Sequence, residues 1–486
     1  MSQDNPATSL KKNHRPRIRA VLLVALATAA MIPSAMSGVD KGDAVGVGGN
    51  HRVFVTGQSE DTGDGYDIVT IGYNATTGAA LWTRDYNGPA DGDDAPWDLD
   101  VSADNTKVFV TGQVSVGGGE EDIVVLAYYA NNGTLIWDET LDGTGSGDDS
   151  GSAVVASPDG DLVFVAGDTY SGATDGRDII VAALDIDDGS LEWSYTYDGF
   201  DGTDDANALV VAPNGDLVFV AGGSDASGGP DDLIVIALDT SDGSQEWVNR
   251  YNGAGNGFDE ARSIDVSPDS SRIVAAGQTT NSNGNRDYVA RAFNSAGSVL
   301  WTSTYDGPAG LEDVANAISF SPNNTRVFVT GWSNTANGFD FYTIAYRAAT
   351  GATAWAHRQD RGGNLLGDDE DFGYDLAVAP DGSDVYVLGT ANTASPGTDY
   401  YTVAYDATNG GSPFCTVAYD ANALDDHAAS IAVRPNGNQI FVTGHSWGLN
   451  NNYDYATLSY DTADCDDNWV ARYDGGDHDT IILDTP

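Results

Sequence analysis

The sequence predicts an all-β fold: a single eight-bladed β-propeller whose blades are four-stranded antiparallel sheets. The first observation behind this prediction is a repeat of about 55 residues that runs from about residue 43 to the end of the chain. The second is that each repeat holds four short apolar runs separated by turn sequences, with no apolar stripe at helical spacing. Units of this kind cannot bury their apolar faces alone, so they must pack against their neighbours.

Every repeat has a glycine at the end of its second apolar run and an aromatic residue in its fourth apolar run. The glycines are Gly57, Gly112, Gly167, Gly222, Gly277, Gly331, Gly389 and Gly444. The aromatic residues are Trp82, Trp137, Trp193, Trp247, Trp301, Trp355, Phe414 and Trp469. We interpret the seven tryptophans as structural residues, because an indole at this point can cover a peptide plane of the next unit.

The copy at residues 209–253 shows the strand pattern most clearly. Its runs are LVVAP, LVFVAG, DLIVIALD and QEWVNRY, and the connectors PNGD and TSDGS carry the Asn-Gly and Asp-Gly signals of tight hairpins. The third run is apolar throughout, so it is predicted to be covered on both faces. Four antiparallel strands per unit, stacked face to face with both neighbours, describe a propeller blade. A solenoid is the alternative, but it would need capping units that the sequence lacks.

The sequence also predicts how the ring closes. Residues 52–486 are assigned to the propeller, and residues 38–51 to a linker with a degenerate strand, DAVGVGGN. The C-terminal run IILDTP resembles the first strand of other repeats, so residues 481–483 are expected to supply the innermost strand of the first blade. A C-terminal strand in that place would tie the termini together and hide a sheet edge.

Residues 1–37 have the pattern of a secretory signal peptide. Five basic residues precede the apolar stretch AVLLVALATAAMIPSA, and small residues around Ala35 offer a cleavage site. A retained membrane anchor is the alternative. No later segment has enough consecutive apolar residues to span a membrane, so we expect the mature chain to be a secreted, extracellular or cell-envelope protein.

The chain is strongly acidic, with 73 Asp and Glu residues against 21 Lys and Arg residues and a formal net charge of −52. Nucleic acid and anionic membrane surfaces are excluded as partners, because both would be repelled. Most of the acids are Asp, and many of these lie beside Gly, which is typical of turns. A high-salt habitat or calcium binding by clustered carboxylates would each explain the excess, and its even spread over the repeats favours the habitat.

Carboxylates recur at two points of each repeat: a pair at the junction between repeats, and a single Asp that opens the third strand. Both points lie at one end of an antiparallel blade, so one face of the ring is expected to carry a crown of carboxylates. Calcium or another divalent cation binds six to eight such oxygens. The candidate metal ligands are Asp94, Asp149, Asp205, Asp313, Asp371 and Asp426. The alternative is that these side chains accept hydrogen bonds from turn amides.

The two cysteines, Cys415 and Cys465, lie in the last two repeats. An oxidising compartment permits a disulfide between neighbouring repeats, provided that the two Cα atoms lie within about 7 Å of each other. The sequence leaves open whether the repeats bring them that close.

One segment of the repeat resembles a known motif. The pattern Ala-x-Asp-x-x-x-Gly-x-x-x-Trp is complete at 183–193 and 237–247 and has variants in other repeats. It resembles the tryptophan-docking motif of the eight-bladed quinoprotein dehydrogenases and of related PQQ-like propellers that bind no quinone. Repeats such as DYATLSYD and DYYTVAYDATNG are similar to the bacterial SBBP-type β-propeller repeats, a secreted family. The resemblance covers nearly all of residues 43–486 and implies a fold rather than an activity.

The same resemblance implies what a quinoprotein enzyme would need: a vicinal Cys-Cys disulfide, a tryptophan platform and calcium. This chain has no adjacent cysteines, and its evenly spaced repeats leave no long insertion to build a pocket. We therefore expect a non-catalytic, monomeric binding scaffold without a cofactor, whose acidic rim can hold divalent cations. Its partner is expected to be a protein, a polysaccharide or a cation. A quinone-dependent oxidoreductase or a hydrolase is the alternative, although near-equivalent carboxylate pairs argue against acid–base catalysis.

Overall fold

The structure is a computed structural model, and within its described residues every regular element is a β-strand. It describes residues 41–484 except 50, 62–64, 144, 173–175, 201, 226–228, 336–337, 362–368, 393–396, 422–423, 449–451 and 476–481. Over this part of the chain, no helix has the length and apolarity to cross a membrane. The predicted signal peptide at 1–37 and the start of the predicted linker lie outside the described residues.

The first four blades follow one another along the chain, each as an antiparallel sheet of four strands in sequence order. Blade 1 contains β1 (Lys41–Gly48), β2 (Arg52–Asp61), β3 (Gly65–Asn74) and β4 (Ala80–Tyr86). Blade 2 contains β5 (Ala95–Val101), β6 (Lys107–Gly117), β7 (Glu120–Tyr129) and β8 (Leu135–Leu141). Blade 3 contains β9 (Ser150–Ala156), β10 (Leu162–Gly172), β11 (Gly176–Asp185) and β12 (Leu191–Tyr197). Blade 4 contains β13 (Asp204–Val211), β14 (Leu217–Ser224), β15 (Asp232–Asp239) and β16 (Gln245–Tyr251).

The remaining four blades repeat this order, with one short addition in each of blades 6 and 8. Blade 5 contains β17 (Glu260–Val266), β18 (Arg272–Thr280), β19 (Arg286–Asn294) and β20 (Val299–Tyr305). Blade 6 contains β21 (Asp313–Phe320), β22 (Arg326–Thr335), β23 (Gly338–Arg347) and β24 (Thr353–Gln359), and β25 (Asp369–Glu370) pairs with β23 in parallel. Blade 7 contains β26 (Phe372–Val378), β27 (Asp384–Asn392), β28 (Thr398–Asp406) and β29 (Cys415–Tyr419). Blade 8 contains β30 (Asp426–Val433), β31 (Gln439–Trp447), β32 (Tyr453–Asp461) and β33 (Asp467–Tyr473), with β34 (Ile482–Asp484) at its edge.

The first strand of each blade lies against the first strands of the two adjacent blades, including β1 against β30, so these strands form the inner wall of a closed ring. The predicted eight-bladed propeller is therefore confirmed. The loops between blades and between the second and third strands emerge on one face of the ring, which we call the junction face. The tight turns after the first and third strands emerge on the opposite face, the hairpin face.

Apolar patterning decides where each strand lies within its blade. The third strand β15, DLIVIALD, is buried at every position but the last, whereas the outer strand β12, LEWSYTY, alternates between half-buried and exposed. The hydrophobic core is divided into clusters, each built from two adjacent blades. One cluster joins Ile179 and Val181 of blade 3 to Ile234 and Ile236 of blade 4. Each sheet is thus stable only when both of its neighbours are in place.

The ring closes differently from the prediction. The expectation that residues 481–483 form the innermost strand of blade 1 is wrong, because β1 occupies that position and pairs with β2 from Lys41↔Gln58 to Gly48↔Arg52. The segment called degenerate in the sequence is a complete strand in which glycines replace β-branched residues. They permit close packing: a Cβ on Gly46 would lie 2.6 Å from the Leu99 side chain of blade 2. Among the described residues, blade 1 therefore contains no strand from the C-terminal end of the chain.

The C-terminal strand β34 pairs instead with the outer edge of blade 8, antiparallel to β33. Its effect is visible in β33, where Val470, Ala471, Arg472 and Tyr473 are all buried, unlike the alternating outer strands of other blades. The added strand thus covers an edge whose backbone groups would otherwise face solvent.

These two positions predict unequal losses of stability when the two ends of the propeller are altered. A Val45→Asp variant places a carboxylate where β1 is buried, so we expect a loss of about 3 kcal/mol or more in the free energy of unfolding. Truncation after Gly475 removes only the edge strand and should cost less than half as much. Urea unfolding of the two variants measures both values, and a larger loss from the truncation would contradict the observed closure.

Candidate functional site

The seven tryptophans lie at the interfaces between blades, on the hairpin face. Trp137 of blade 2 donates its indole N–H to the carbonyl of Ile186 in blade 3, at 3.3 Å. Its ring covers Gly189, which has a φ of 76° and whose Cβ, if present, would lie 2.7 Å from the indole. The same pairing of an indole with the next blade's turn recurs for Trp82, Trp193, Trp247, Trp301, Trp355 and Trp469. Trp469 reaches Ala75 and Gly78 of blade 1 and so closes the ring.

The interface between blades 7 and 8 has a disulfide in place of this contact. Our alignment of Phe414 with the tryptophans is wrong: Phe414 is 46% exposed, and Cys415 pairs with Ala404 where a tryptophan pairs in other blades. Cys465 occupies the position of the covered glycine, with a φ of 60°. The two cysteines are bonded, with Cα atoms 6.1 Å apart. Tyr386, whose hydroxyl lies 3.5 Å from the Thr462 carbonyl, stands near the carbonyl that an indole would reach.

We predict that removing one tryptophan weakens a whole interface. Trp301→Ala deletes a buried ring and an N–H···O bond, so the free energy of unfolding should fall by about 3–5 kcal/mol. Cys415→Ser should cost about 4 kcal/mol by the loop-entropy argument for a separation of 50 residues. Phe414→Ala is the control and should change stability by less than about 0.5 kcal/mol, because its ring is exposed. Equal losses for all three variants in urea unfolding would contradict this account.

On the junction face, the acids at the blade junctions accept hydrogen bonds from the backbone N–H groups of the loops. The Asp149 carboxylate accepts the N–H of Gly143 in the preceding loop at 2.7 Å and the N–H of Tyr170 in the second strand at 2.6 Å. Asp94 accepts the corresponding bonds from Gly88 and Ser115. The glycine permits a close approach, since a Cβ on Gly143 would lie 2.8 Å from the Thr169 side chain and 3.0 Å from an Asp149 oxygen. These acids therefore serve the turns, as the alternative reading of the sequence proposed.

The structure places the other candidate ligands in the same role, with one exception. Asp313, Asp371 and Asp426 each accept a bond from an N–H of the preceding loop. In blade 4 this role belongs to Asp204, which accepts the Gly199 N–H at 2.7 Å, and not to Asp205. Consecutive residues of a strand point to opposite faces, so only one acid of each pair can reach the loop. Asp259, absent from our candidates, has the same bonds in blade 5.

Four of the junction acids belong to clusters of three carboxylates. In each cluster, the Asp that opens the third strand of one blade and the Asp that follows its fourth strand meet the junction Asp of the next blade. One oxygen from each residue lies within 4.8 Å of the others. The carboxylate triads among the described residues are Asp122–Asp142–Asp149, Asp178–Asp198–Asp204, Asp287–Asp306–Asp313 and Asp399–Asp420–Asp426. They lie at the interfaces of blades 2/3, 3/4, 5/6 and 7/8.

In three other blades an arginine pairs with the Asp that opens the third strand. The distances from guanidinium to carboxylate are 3.5 Å for Arg250–Asp232, 3.1 Å for Arg358–Asp340 and 2.9 Å for Arg472–Asp454. Each arginine is the third residue after the tryptophan that recurs in the fourth strands. The blades that contribute two acids to a triad have an uncharged residue there: Thr140, Thr196, Thr304 and Ala418. The residue type at this position can be read from the sequence, but its relation to the carboxylate triads can be recognised only from the structure.

Burial and crowding raise the pKa values of the triads. The pKa of Asp149 rises from 3.8 to about 6, chiefly through burial and secondarily through the charges of Asp122 and Asp142. Burial and neighbouring carboxylates likewise raise the pKa of Asp287 and of Asp313 to about 6, and that of Asp426 to about 7. Hydrogen bonds from loop amides act in the opposite direction but do not cancel the effect of burial.

These shifts set the sign of the pH dependence of stability. Because the folded pKa values exceed the unfolded value of 3.8, the folded state holds more protons between about pH 4 and pH 7. The free energy of unfolding should therefore rise as the pH is lowered from 7.5 to 5, and fall as the pH returns through 6 to 7.

Thermal unfolding at constant ionic strength measures this dependence. A variant with Asp142→Asn and Asp306→Asn removes one charge from each of two triads and should show a flatter pH profile. Asparagine already occupies this position as Asn87 in blade 1 and Asn252 in blade 4, so both substitutions should fold. Stability that rises with pH over this range would contradict the burial of the junction acids.

Comparisons with known proteins agree with this architecture. The family described as outer membrane protein assembly factor BamB matches residues 29–410. BamB from Moraxella catarrhalis is 15% identical, with a TM-score of 0.47, and the match covers 82% of this chain and 94% of that one. Sqt1 from Chaetomium thermophilum is 12% identical, with a TM-score of 0.52 and coverages of 87% and 95%. For the periplasmic gluconolactonase PpgL from Pseudomonas aeruginosa, the values are 12%, 0.49, 77% and 98%.

The likeness to Sqt1 shows the fold alone, since the identity is low. No curated protein sequence matches the chain significantly. The family match covers well over half of the chain and includes most of the repeats described above. The chain therefore belongs to the BamB family of PQQ-like β-propeller repeat proteins.

Proposed function

We propose that this protein is a non-catalytic binding scaffold, secreted or held in the cell envelope, that presents its junction face to a cationic surface of a protein partner. The observation that carries the proposal is the repetition around that one face of exposed carboxylates beside buried ones. A face of this kind attracts basic surfaces over long range and repels anionic ones. Membership of a family named for an assembly factor supports a protein as the partner. The signal-like segment at 1–37 supports export.

The similarity among the triads supports a non-catalytic role. Acid–base chemistry needs two groups whose environments push their pKa values apart, whereas the junction acids of the triads have nearly the same partners. A quinone-dependent oxidoreductase or a hydrolase would require one interface built unlike the others. Quinone absorbance in the purified protein, or glycoside or lactone hydrolysis that saturates with substrate, would overturn this part of the proposal.

Binding of a cationic partner can be tested with variants that leave the hydrogen bonds between the junction acids and the loops intact. The triad residues that follow the fourth strands are exposed, and asparagine already stands at their position in blades 1 and 4. We expect a fourfold variant, Asp142→Asn, Asp198→Asn, Asp306→Asn and Asp420→Asn, to bind deca-lysine at least tenfold more weakly than wild type at 50 mM NaCl. Calorimetric titration at 50 and 500 mM NaCl measures this, and unchanged affinity of the variant would contradict the proposal.

Divalent cations are a second candidate ligand of the same face. The observation that favours them is the arginine in blades 4, 6 and 8, which supplies a positive charge beside the opening Asp that the triad-forming blades lack. A calcium ion at a triad would supply that charge and could take further oxygens from the loop backbone. Calcium would then stabilise the folded state by mass action.

We therefore expect 5 mM CaCl2 to raise the midpoint of thermal unfolding by several degrees at low salt, and EDTA to reverse the gain. The fourfold Asp→Asn variant should lose most of the gain. An equal rise in NaCl of matched ionic strength would instead assign the effect to general screening, and would remove cations as specific ligands.

A further inference from the structure

Most of the propeller is repetitive, but the blades differ at one set of positions beside the junction acids. The set has three positions. The first is the residue that follows the junction acid on the first strand, the second is the residue paired with it on the second strand, and the third is the third-strand residue that lies diagonally from the second position. In blade 2 these positions include Gln113 and Glu121, which are hydrogen-bonded to each other. In blade 3 they include Asp168 and Arg177, which form an ion pair. The side chains there are polar and satisfy one another.

Blades 6 and 7 have aromatic rings at the same positions. Trp332 on β22 meets Phe339 on β23 edge to face, with ring centroids 4.9 Å apart. Phe372, the first residue of β26 in blade 7, lies 5.2 Å from Phe339 and 5.9 Å from Trp332. Tyr374 stacks on Phe372 at 6.3 Å. We call these four residues the aromatic cluster.

One ring of the aromatic cluster is buried, and the other three are partly exposed. Trp332 is only 6% exposed, whereas Phe339, Phe372 and Tyr374 are each half-buried. Trp332 thus packs against the two phenylalanines from the interior and fixes their orientation, while part of each of the three half-buried rings faces solvent. Rings held in this way offer preorganised contact surface at little further cost in conformational entropy.

Carboxylates lie in the same sector of the junction face as these rings. Asp371 precedes Phe372 in the chain and accepts the N–H groups of Arg361 and Asn392. The Asp287–Asp306–Asp313 triad lies at the interface of blades 5 and 6, next to the blade that supplies Trp332 and Phe339. A lysine or arginine side chain attracted by the carboxylates of the junction face could therefore lay its charge over an aromatic face of the cluster. The chain contains a contact of this type, in which the Arg361 guanidinium lies 4.5 Å from the Tyr401 ring centroid.

A second group of rings, on blade 8, has a different character. His427 and His445 lie 4.8 Å apart, and Tyr453 meets His445 at 5.0 Å. The positive charge of Lys41 acts on both histidines. The carboxylate of Asp425 also acts on His427, so the charges beside this group are mixed, and its imidazole rings are weaker cation–π partners than the phenyl and indole rings of blades 6 and 7.

We propose that the aromatic cluster is the anchor point at which a basic segment of a protein partner docks, with an arginine or lysine placed over Phe339 and Phe372. This inference rests on the proposed function and adds its specific contact. The carboxylates attract the segment from any direction around the ring. The aromatic cluster, which occupies a single sector among the described residues, fixes where and in what orientation the segment binds.

The experiment compares ring removal with charge removal, using deca-arginine and deca-lysine as probes in calorimetric titrations at 50 mM NaCl. A Phe339→Leu and Phe372→Leu double variant keeps apolar volume over Trp332 but removes the aromatic faces. We expect it to bind deca-arginine at least about fivefold more weakly than wild type, with a smaller loss for deca-lysine. Phe414→Leu, on an exposed ring of the hairpin face, is the control and should bind like wild type.

Each outcome decides one of the two proposals. If the double Phe→Leu variant binds both peptides like wild type while the fourfold Asp→Asn variant does not, the aromatic anchor is overturned and the acidic binding face remains. If wild type binds neither peptide, the proposed function fails and the anchor fails with it. Equal weakening by Phe414→Leu would also overturn the anchor, because the effect would then not depend on the junction face.

Discussion

The packing of an indole over a glycine turn in the next blade is the contact on which the rest of the structure depends. No blade has a core of its own, because the apolar clusters each draw on two adjacent sheets. A tryptophan that spans the interface, bonded at 2.9 Å to Ala348 in the case of Trp301, fixes the distance and angle between blades. Repeating the same angle around the ring brings β1 against β30, so closure follows from a local contact and needs no shared strand.

The exception at blades 7 and 8 supports this interpretation. There the tryptophan and the glycine are both replaced, by Cys415 and Cys465, and a covalent bond joins the two points that the indole would otherwise bring together. Tyr386 takes the place of a phenylalanine and places a hydroxyl near the carbonyl of Thr462. Three substitutions far apart in the chain thus restore one interface, which indicates that the spacing between blades is what the fold must preserve.

Close packing of the blades also determines the chemistry of the junction face. It brings acids from successive blades together, and the free energy cost of their mutual repulsion is reduced in two ways. Arg250, Arg358 and Arg472 place a positive charge beside one acid of their blades, and raised pKa values, which Asp454 shares with the triads, let the acids hold protons at a higher pH. The face is therefore suited to bind cationic groups. The aromatic cluster adds a feature without eightfold repetition, and a partner needs such a feature to bind in a single orientation.

The sequence by itself determined the number of blades, the strand order within them and the family, because turns, alternation and the Gly–Trp spacing are local features. It also located the crown of acids on one face. It did not determine which terminal segment fills the inner place of blade 1, since β1 and residues 481–483 have similar apolar content. Nor could it distinguish Asp204 from Asp205, or Cys415 from Phe414. Each choice depends on which side of a strand faces the adjacent blade. A shift of one residue in strand register reverses that side, and only packing around the ring sets the register.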